Sequence, residues 1–381
     1  MKPLSDGWHI VCKQDCATCT LIQPVYQQLL DAHLPLTIYT QDNPDFPVKT
    51  AVSDTQLEIS FHLNIEIVPT IIRITDGQET ARTVGWNRAQ WETITGISGL
   101  GAGLPNSKPG CGALNVMPGT AERLLVQFGD TGMSARTLDV PPLVDEMEYL
   151  FERGWSDGLP VVPPTPERVV RMLAGTTRAP NDVVGIVPPN QAACTVEKVA
   201  INAVLAGCKP EYMPVLLAAV EAACLDEFCM HGLLATTYFS SPMIVVNGPV
   251  SQRIGMNSGG NALGQGNRAN ATIGRALQLI IRNVGGGMPG GIDRATLGTP
   301  GKYTFCFAER EYDSPWESLA VEHGFDADAS TVTLFGGSGV QAVMDQRSRT
   351  PDSLARSFAT SLRVVCHPKI GMVIDAMLIV S

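Results

Sequence analysis

The chain has 381 residues, 44% of them hydrophobic, with a formal net charge of −10 and a pI near 5.1. At roughly 100–200 residues per domain, that length implies two or three domains, each large enough to bury a core. An acidic chain with no basic cluster excludes nucleic acid as a partner. The most apolar stretch, 370–380, falls short of the ~20 residues that cross a bilayer, so no membrane partner is expected either.

The first residues, Met1-Lys2-Pro3-Leu4-Ser5-Asp6-Gly7, lack the apolar run of an export signal, which predicts a cytoplasmic protein whose ten cysteines are mostly reduced. Trp8, Ile10, Val11 and Cys12 mark a short buried strand. Cys16-Ala17-Thr18-Cys19 follows a polar turn and opens an amphipathic helix running to Leu30, Pro24 notwithstanding. Residues 36–39 read as a second strand and 55–63 as a helix. Residues 68–74, Val-Pro-Thr-Ile-Ile-Arg-Ile, form a third strand opened by proline. Asp76-Gly77 turns the chain into a hairpin partner at 80–84, and 88–94 closes as a helix.

Three of these features belong together: a Cys-x-x-Cys at a strand-to-helix junction, a Val-Pro-Thr tripeptide about fifty residues later, and a hairpin followed by a helix. In this combination, residues 1–98 resemble the thioredoxin/glutaredoxin family. The resemblance implies a redox-active dithiol and a cis bond before Pro69, whose preceding backbone pairs with a substrate chain. A thiol at a helix N-terminus is stabilised as thiolate, so Cys16 is expected as the exposed attacking sulfur and Cys19 as the resolving one. Zinc binding or two inert core cysteines is the alternative. The sequence departs from the family at Asp15, at Ala17-Thr18 between the cysteines, and at Ile10, where the family carries a buried acid. Those departures point to a dedicated reductant rather than a general one.

Residues 99–112, rich in glycine and proline, read as a flexible linker, extended here to 99–119. Cys111, flanked by glycines, is expected on it as an exposed thiol able to accept the dithiol's electrons, or as an incidental loop cysteine. Residues 120–381 are expected to form a larger mixed α+β catalytic domain, so the fold class is α/β with an N-terminal thioredoxin-like fold. This part resembles a family of bacterial proteins that lends no residue roles. Its predicted helices cover 143–151, 167–174, 196–206, 212–223, 270–284 and 354–365. Its predicted strands, in one mixed sheet, cover 242–247, 303–308, 332–335 and 373–380.

Chemistry in this region concentrates in three places. The glycine- and asparagine-rich run 255–270 leads into a helix, and Asn257, Asn261, Asn267, Arg268 and Asn270 are candidates for a small polar or anionic substrate; a long asparagine-capped loop is the bland reading. Cys229 and His231 are candidates for an activated nucleophile and an acid/base group, in a Cys224–His231 cluster that matches no standard metal spacing. Glu309 and Glu311 alternate onto one face as a carboxylate pair, while Trp155 and Asp157 sit on a proline-rich loop. Cys366 and His367 are adjacent in sequence and diverge. Catalytic expectation therefore falls on Cys16, Cys19, Pro69, Cys229 and His231, with no metal and no cofactor. The pattern suits a thiol-dependent redox enzyme acting on a small molecule. It leaves room for a thiol reductant or partner protein and for a homo-oligomer. A lyase or hydrolase with a docking thioredoxin fold, or a metal- or thiol-ligand binding protein, are the alternatives.

Overall fold

The structure, a computed structural model, describes residues 4–366, Lys369 and 375–380. Helices make up 35% of it and strands 17%, in sheets with parallel and antiparallel neighbours, so the protein is mixed α/β. The chain divides into two compact units, Met1–Asp139 with Pro163–Asp182, and Val140–Val162 with Val183–Ser381.

In the first unit, β1 (Gly7–Cys12) is a run of β-branched and aromatic residues buried along nearly its whole length, as a central strand must be. The helix expected after it is two helices, α1 (Ala17–Leu21) and α2 (Gln23–Asp31), meeting at Ile22. Pro24 has no N–H to continue the first ladder and instead occupies the opening turn of the second. β2 (Leu36–Thr40), β3 (Val52–Ser53) and α3 (Glu58–His62) follow. The proline-opened strand is interrupted at Pro69, giving β4 (Ile67–Val68) and β5 (Thr70–Thr75). Asp76 and Gly77 both take positive φ, +52° and +71°, which is what a two-residue hairpin into β6 (Gln78–Val84) requires.

The five strands lie in the order β3-β2-β1-β5-β6. β1 is parallel to β2, with Ile10 opposite Ile38, and antiparallel to β5, with Ile10 opposite Ile71. Side chains of β1, α1 and α2 share one core with Trp86 and Trp91, and Cys12, Cys16 and Cys19 belong to it.

The segment 99–119 is not a free linker. After β7 (Trp86–Asn87) and α4 (Arg88–Thr95), it returns as β8 (Ser107–Lys108) and β9 (Cys111–Gly112), antiparallel to β7 and β4 respectively. Arg88 holds the carbonyls of Gly101 and Leu104 at 2.8 and 2.6 Å, and the Trp86 indole donates to Pro105 O at 2.7 Å. Leu100 and Ala113 are fully buried. Beyond it, the Gln41 amide joins Ser60 and Asn115, and α5 (Thr120–Phe128) brings Phe128 within 6.2 Å of Phe61. The composition of a linker is thus overridden by backbone pairing and buried apolar anchors.

In the second unit the central strand Ser241–Asn247 is buried at every residue. It runs parallel to Cys306–Ala308 and antiparallel to Thr331–Gly337. Val183–Val187 and Ala192–Thr195 form a separate antiparallel pair, so the single expected sheet is two. The helices Val196–Ala206 and Arg268–Asn283 pack together, and Gly274 lets the latter approach the chain at Thr304, where a Cβ would stand 2.5 Å from the Oγ1. Of the strand expected over 373–380, the described part, 375–380, is irregular, and residues 373 and 374 lie outside the described residues, as does His367.

Candidate functional site

Cys16 has extended backbone (φ −147°, ψ 113°) and stands at the N-cap of α1, its sulfur accepting the Cys19 N–H at 3.3 Å. The thiol lies 3.5 Å from the carbonyl oxygen of Val68, and the Val68–Pro69 peptide bond is cis. Two parts of the chain that are distant in sequence therefore meet at one sulfur.

The local electrostatics divide the two thiols. A hydrogen bond from the Cys19 thiol, supported by the Cys111 thiol and the N–H groups of Cys19 and Thr18, outweighs burial and brings Cys16 down to about 5. Burial, with the ionised Cys16 beside it, pushes Cys19 far up. Cys12 is pushed up chiefly by burial and bonds to Tyr39 O, which is the setting of an inert core thiol. The Tyr26 hydroxyl is fully buried beside Cys19 with no close hydrogen-bond partner. Because α1 has only five residues, these local donors rather than a long helix dipole set the acidity of Cys16. Asp15 is exposed, and its N–H is held by Asp42 at 2.8 Å.

Cys16 is not an exposed sulfur: it is 3% accessible, and Cys19 is wholly buried. The cover is the segment carrying β8 and β9. Thr18 Oγ1 donates to Pro109 O at 2.5 Å, Lys108 Nζ to Ala17 O at 3.3 Å, and Lys13 Nζ to Gly112 O at 2.9 Å. Sequence reasoning gave no role to Thr18 or Lys13, and the one available signal was the glycine on each side of Cys111.

Family models, curated proteins and solved structures offer no match to this chain.

In the second unit, the asparagine-rich loop uses its polar groups internally. Asn267 caps the helix by accepting the Asn270 N–H at 3.0 Å and reaches Gly255 O at 2.8 Å. Asn270, 3% exposed, holds both the N–H and the carbonyl of Asn257. Asn257 in turn bonds Gly259 and Gly260, and Asn261 bonds Gln265 O. Arg268 donates to Gly207 O at 2.9 Å and Cys208 O at 3.4 Å, closing the end of the helix Val196–Ala206. These side chains were expected to offer amides and a guanidinium to a ligand; the loop's own carbonyls and N–H groups take the amides instead, because so glycine-rich a loop has few other means of fixing its backbone, and the carbonyls of Gly207 and Cys208 take the guanidinium.

Cys229, at φ +53°, precedes the short helix Met230–Ala235 and is exposed, as is His231. No hydrogen bond joins them, and among the described residues no three His, Cys, Asp or Glu side chains converge on a metal position. Cys224 packs onto Gly185, where a Cβ would stand 2.7 Å from its sulfur.

Glu309 and Glu311 do share a face, and Asn247 explains it. Its Nδ2 donates to both carboxylates, at 2.5 and 2.6 Å, and Gly248 N–H also donates to Glu311. Asn247 is fully buried at the end of the central strand, a role its place in an apolar run did not announce. Asp157 forms a bidentate pair with Arg275 at 2.7 and 2.8 Å, which gives it a structural partner rather than an open pocket. Among the described residues no helix is long and apolar enough to cross a membrane.

Proposed function

We propose that residues 1–98 form a thioredoxin-like module and that the protein is a thiol–disulfide oxidoreductase with Cys16 as nucleophile and Cys19 as resolving thiol. The observation that carries this reading is the Cys16 sulfur at an N-cap, 3.3 Å from the Cys19 N–H and 3.5 Å from the carbonyl that precedes the cis Pro69. A thiol held near 5 is ionised at neutral pH, while its partner keeps its proton until needed.

In the forward direction, Cys16 thiolate attacks one sulfur of a substrate disulfide, forming a mixed disulfide and releasing the other sulfur as thiolate. Cys19 loses its proton to that thiolate or to solvent, attacks Cys16 Sγ, and displaces the second substrate sulfur. Two electrons and the Cys19 proton leave the dithiol, Cys16–Cys19 closes as a disulfide, and the remaining substrate thiolate takes its proton from solvent. The second unit, residues 140–162 and 183–381, forms the catalytic domain that receives those electrons and acts on a small polar or anionic substrate. Cys229 supports that assignment as an exposed thiol, whereas Cys194, Cys208 and Cys306 are buried and pushed up by that burial.

The test is alkylation with mass mapping on protein equilibrated in buffers of stepped reduction potential. Cys16 and Cys19 are expected to switch together as one two-electron couple, with Cys229 oxidised in step where it accepts. If both stay reduced at every potential, the oxidoreductase reading is wrong.

A further inference from the structure

The position beside Pro69 is already filled by the chain itself. β9 runs antiparallel to β4 with Cys111 directly opposite Val68, the residue whose carbonyl faces the Cys16 sulfur. In such a pair the opposed Cα atoms are about 4.5–5.5 Å apart, so Cys111 and Cys16 both border the same peptide group. The seat is built for this segment: at Gly110 a Cβ would stand 2.3 Å from Ile67 Cγ2 and 2.7 Å from Val68 O, so only glycine fits there without displacement. Thr18, Lys108 and Lys13 clamp it on both sides of the dithiol, and Ala113 N–H donates to Glu66 O at 2.9 Å.

Resting on the dithiol reading above, we propose that residues 107–113 are an internal substrate strand and that Cys111 is a third redox thiol, the first disulfide partner of Cys16. The ionisation of the two thiols is linked in the direction this placement requires: the Cys111 thiol helps hold Cys16 ionised, and Cys16 pushes Cys111 up in return. Cys111 is also the least buried of the three, partly open to solvent where Cys16 and Cys19 are not.

The exchange balances with a low-molecular-weight disulfide as oxidant. Cys16 thiolate attacks one of its sulfurs, the disulfide breaks, and one small thiolate leaves. Cys111 gives up its proton and attacks Cys16 Sγ, expelling the second small thiolate and forming Cys16–Cys111. Two electrons and the Cys111 proton reach the oxidant, and the other small thiolate takes its proton from solvent. Cys19 then attacks Cys16 Sγ, the Cys16–Cys111 bond breaks, and Cys111 leaves as a thiolate that takes up the proton Cys19 lost. Cys16 takes part in every exchange, and the strand carrying Cys111 is released from its covalent tie at the last one.

The experiment uses the full chain carrying Cys19→Ser, treated with oxidised glutathione, quenched in acid and mapped by mass spectrometry. The expected product is a Cys16–Cys111 crosslink with no glutathione retained. A stable glutathione adduct on Cys16 with Cys111 still open to alkylation overturns the internal-strand proposal and leaves the oxidoreductase reading standing. Neither adduct nor crosslink on Cys16 overturns both. Since Cys19 is fully buried and its replacement could disturb folding, the unsubstituted chain is followed in parallel by rapid quench: Cys16–Cys111 is expected to rise before Cys16–Cys19, and its absence at every time point also overturns the proposal.

Discussion

Cys16 and Cys19 are three residues apart yet have opposite ionisation, because one receives hydrogen bonds and the other is enclosed. The thiolate absorbance of the reduced protein is therefore expected to titrate with a midpoint near 5, and Cys16→Ser should remove that transition while leaving the alkaline thiols. A midpoint at the ordinary thiol value would show that the local donors do not act on Cys16. Gly110 is the second decisive residue. Replacing it by alanine forces the Cβ against Val68 O, a strain of about 1–3 kcal/mol, and so should speed alkylation of Cys16 about ten- to a hundredfold by loosening its cover. An unchanged rate would mean that the segment is not what shields the sulfur.

At the scale of elements, much of the layout follows from local chemistry. The Asp76-Gly77 hairpin needs positive φ at both positions, and a Cβ at Gly77 meets no neighbour. Gly77→Ala should accordingly cost about 1 kcal/mol from the backbone alone, read in denaturant unfolding. The Asp157–Arg275 pair ties the loop after Gly154 to the helix Arg268–Asn283 with side chains only 11% and 15% exposed. Asp157→Ala leaves a largely buried guanidinium unpaired, and a loss of about 3 kcal/mol is expected, with the Cys16–Cys19 couple unmoved. The expected helices over 88–94 and 196–206 are seen at Arg88–Thr95 and Val196–Ala206, where apolar spacing and caps agree. Elements failed to match where one residue outweighed the pattern, as Pro24 does in dividing α1 from α2.

For the whole molecule, the same thiols couple ionisation to stability. Cys16 is about 5 folded against 9.0 ordinarily, so the unfolded chain binds more protons between those values. Its contribution is complete above pH 9 and is lost as pH falls toward 5. Cys19 and Cys12 are raised instead, so their contribution is complete below pH 9 and is lost as pH rises beyond it. The unfolding midpoint of the reduced protein should climb from pH 5 toward 9 and then fall, and Cys16→Ser should flatten the climb. A chain whose midpoint does not change over that range would contradict the assigned ionisation.

The sequence by itself determined the mixed α/β class, the central strands and the place of Cys16 at the start of a helix, because β-branched runs, caps, an Asp-Gly turn and a polar strand-to-helix junction are local signals. Tertiary structure alone decided that residues 99–119 are folded rather than a tether, that Cys111 lies opposite Val68, that Asn257 and Asn267 serve their own loop, and that Arg268 closes the helix ending at Ala206. Each of those outcomes depends on a backbone hydrogen bond or a close contact with a distant residue, and a glycine-rich composition is equally compatible with a free chain and with one that passes tightly against a strand.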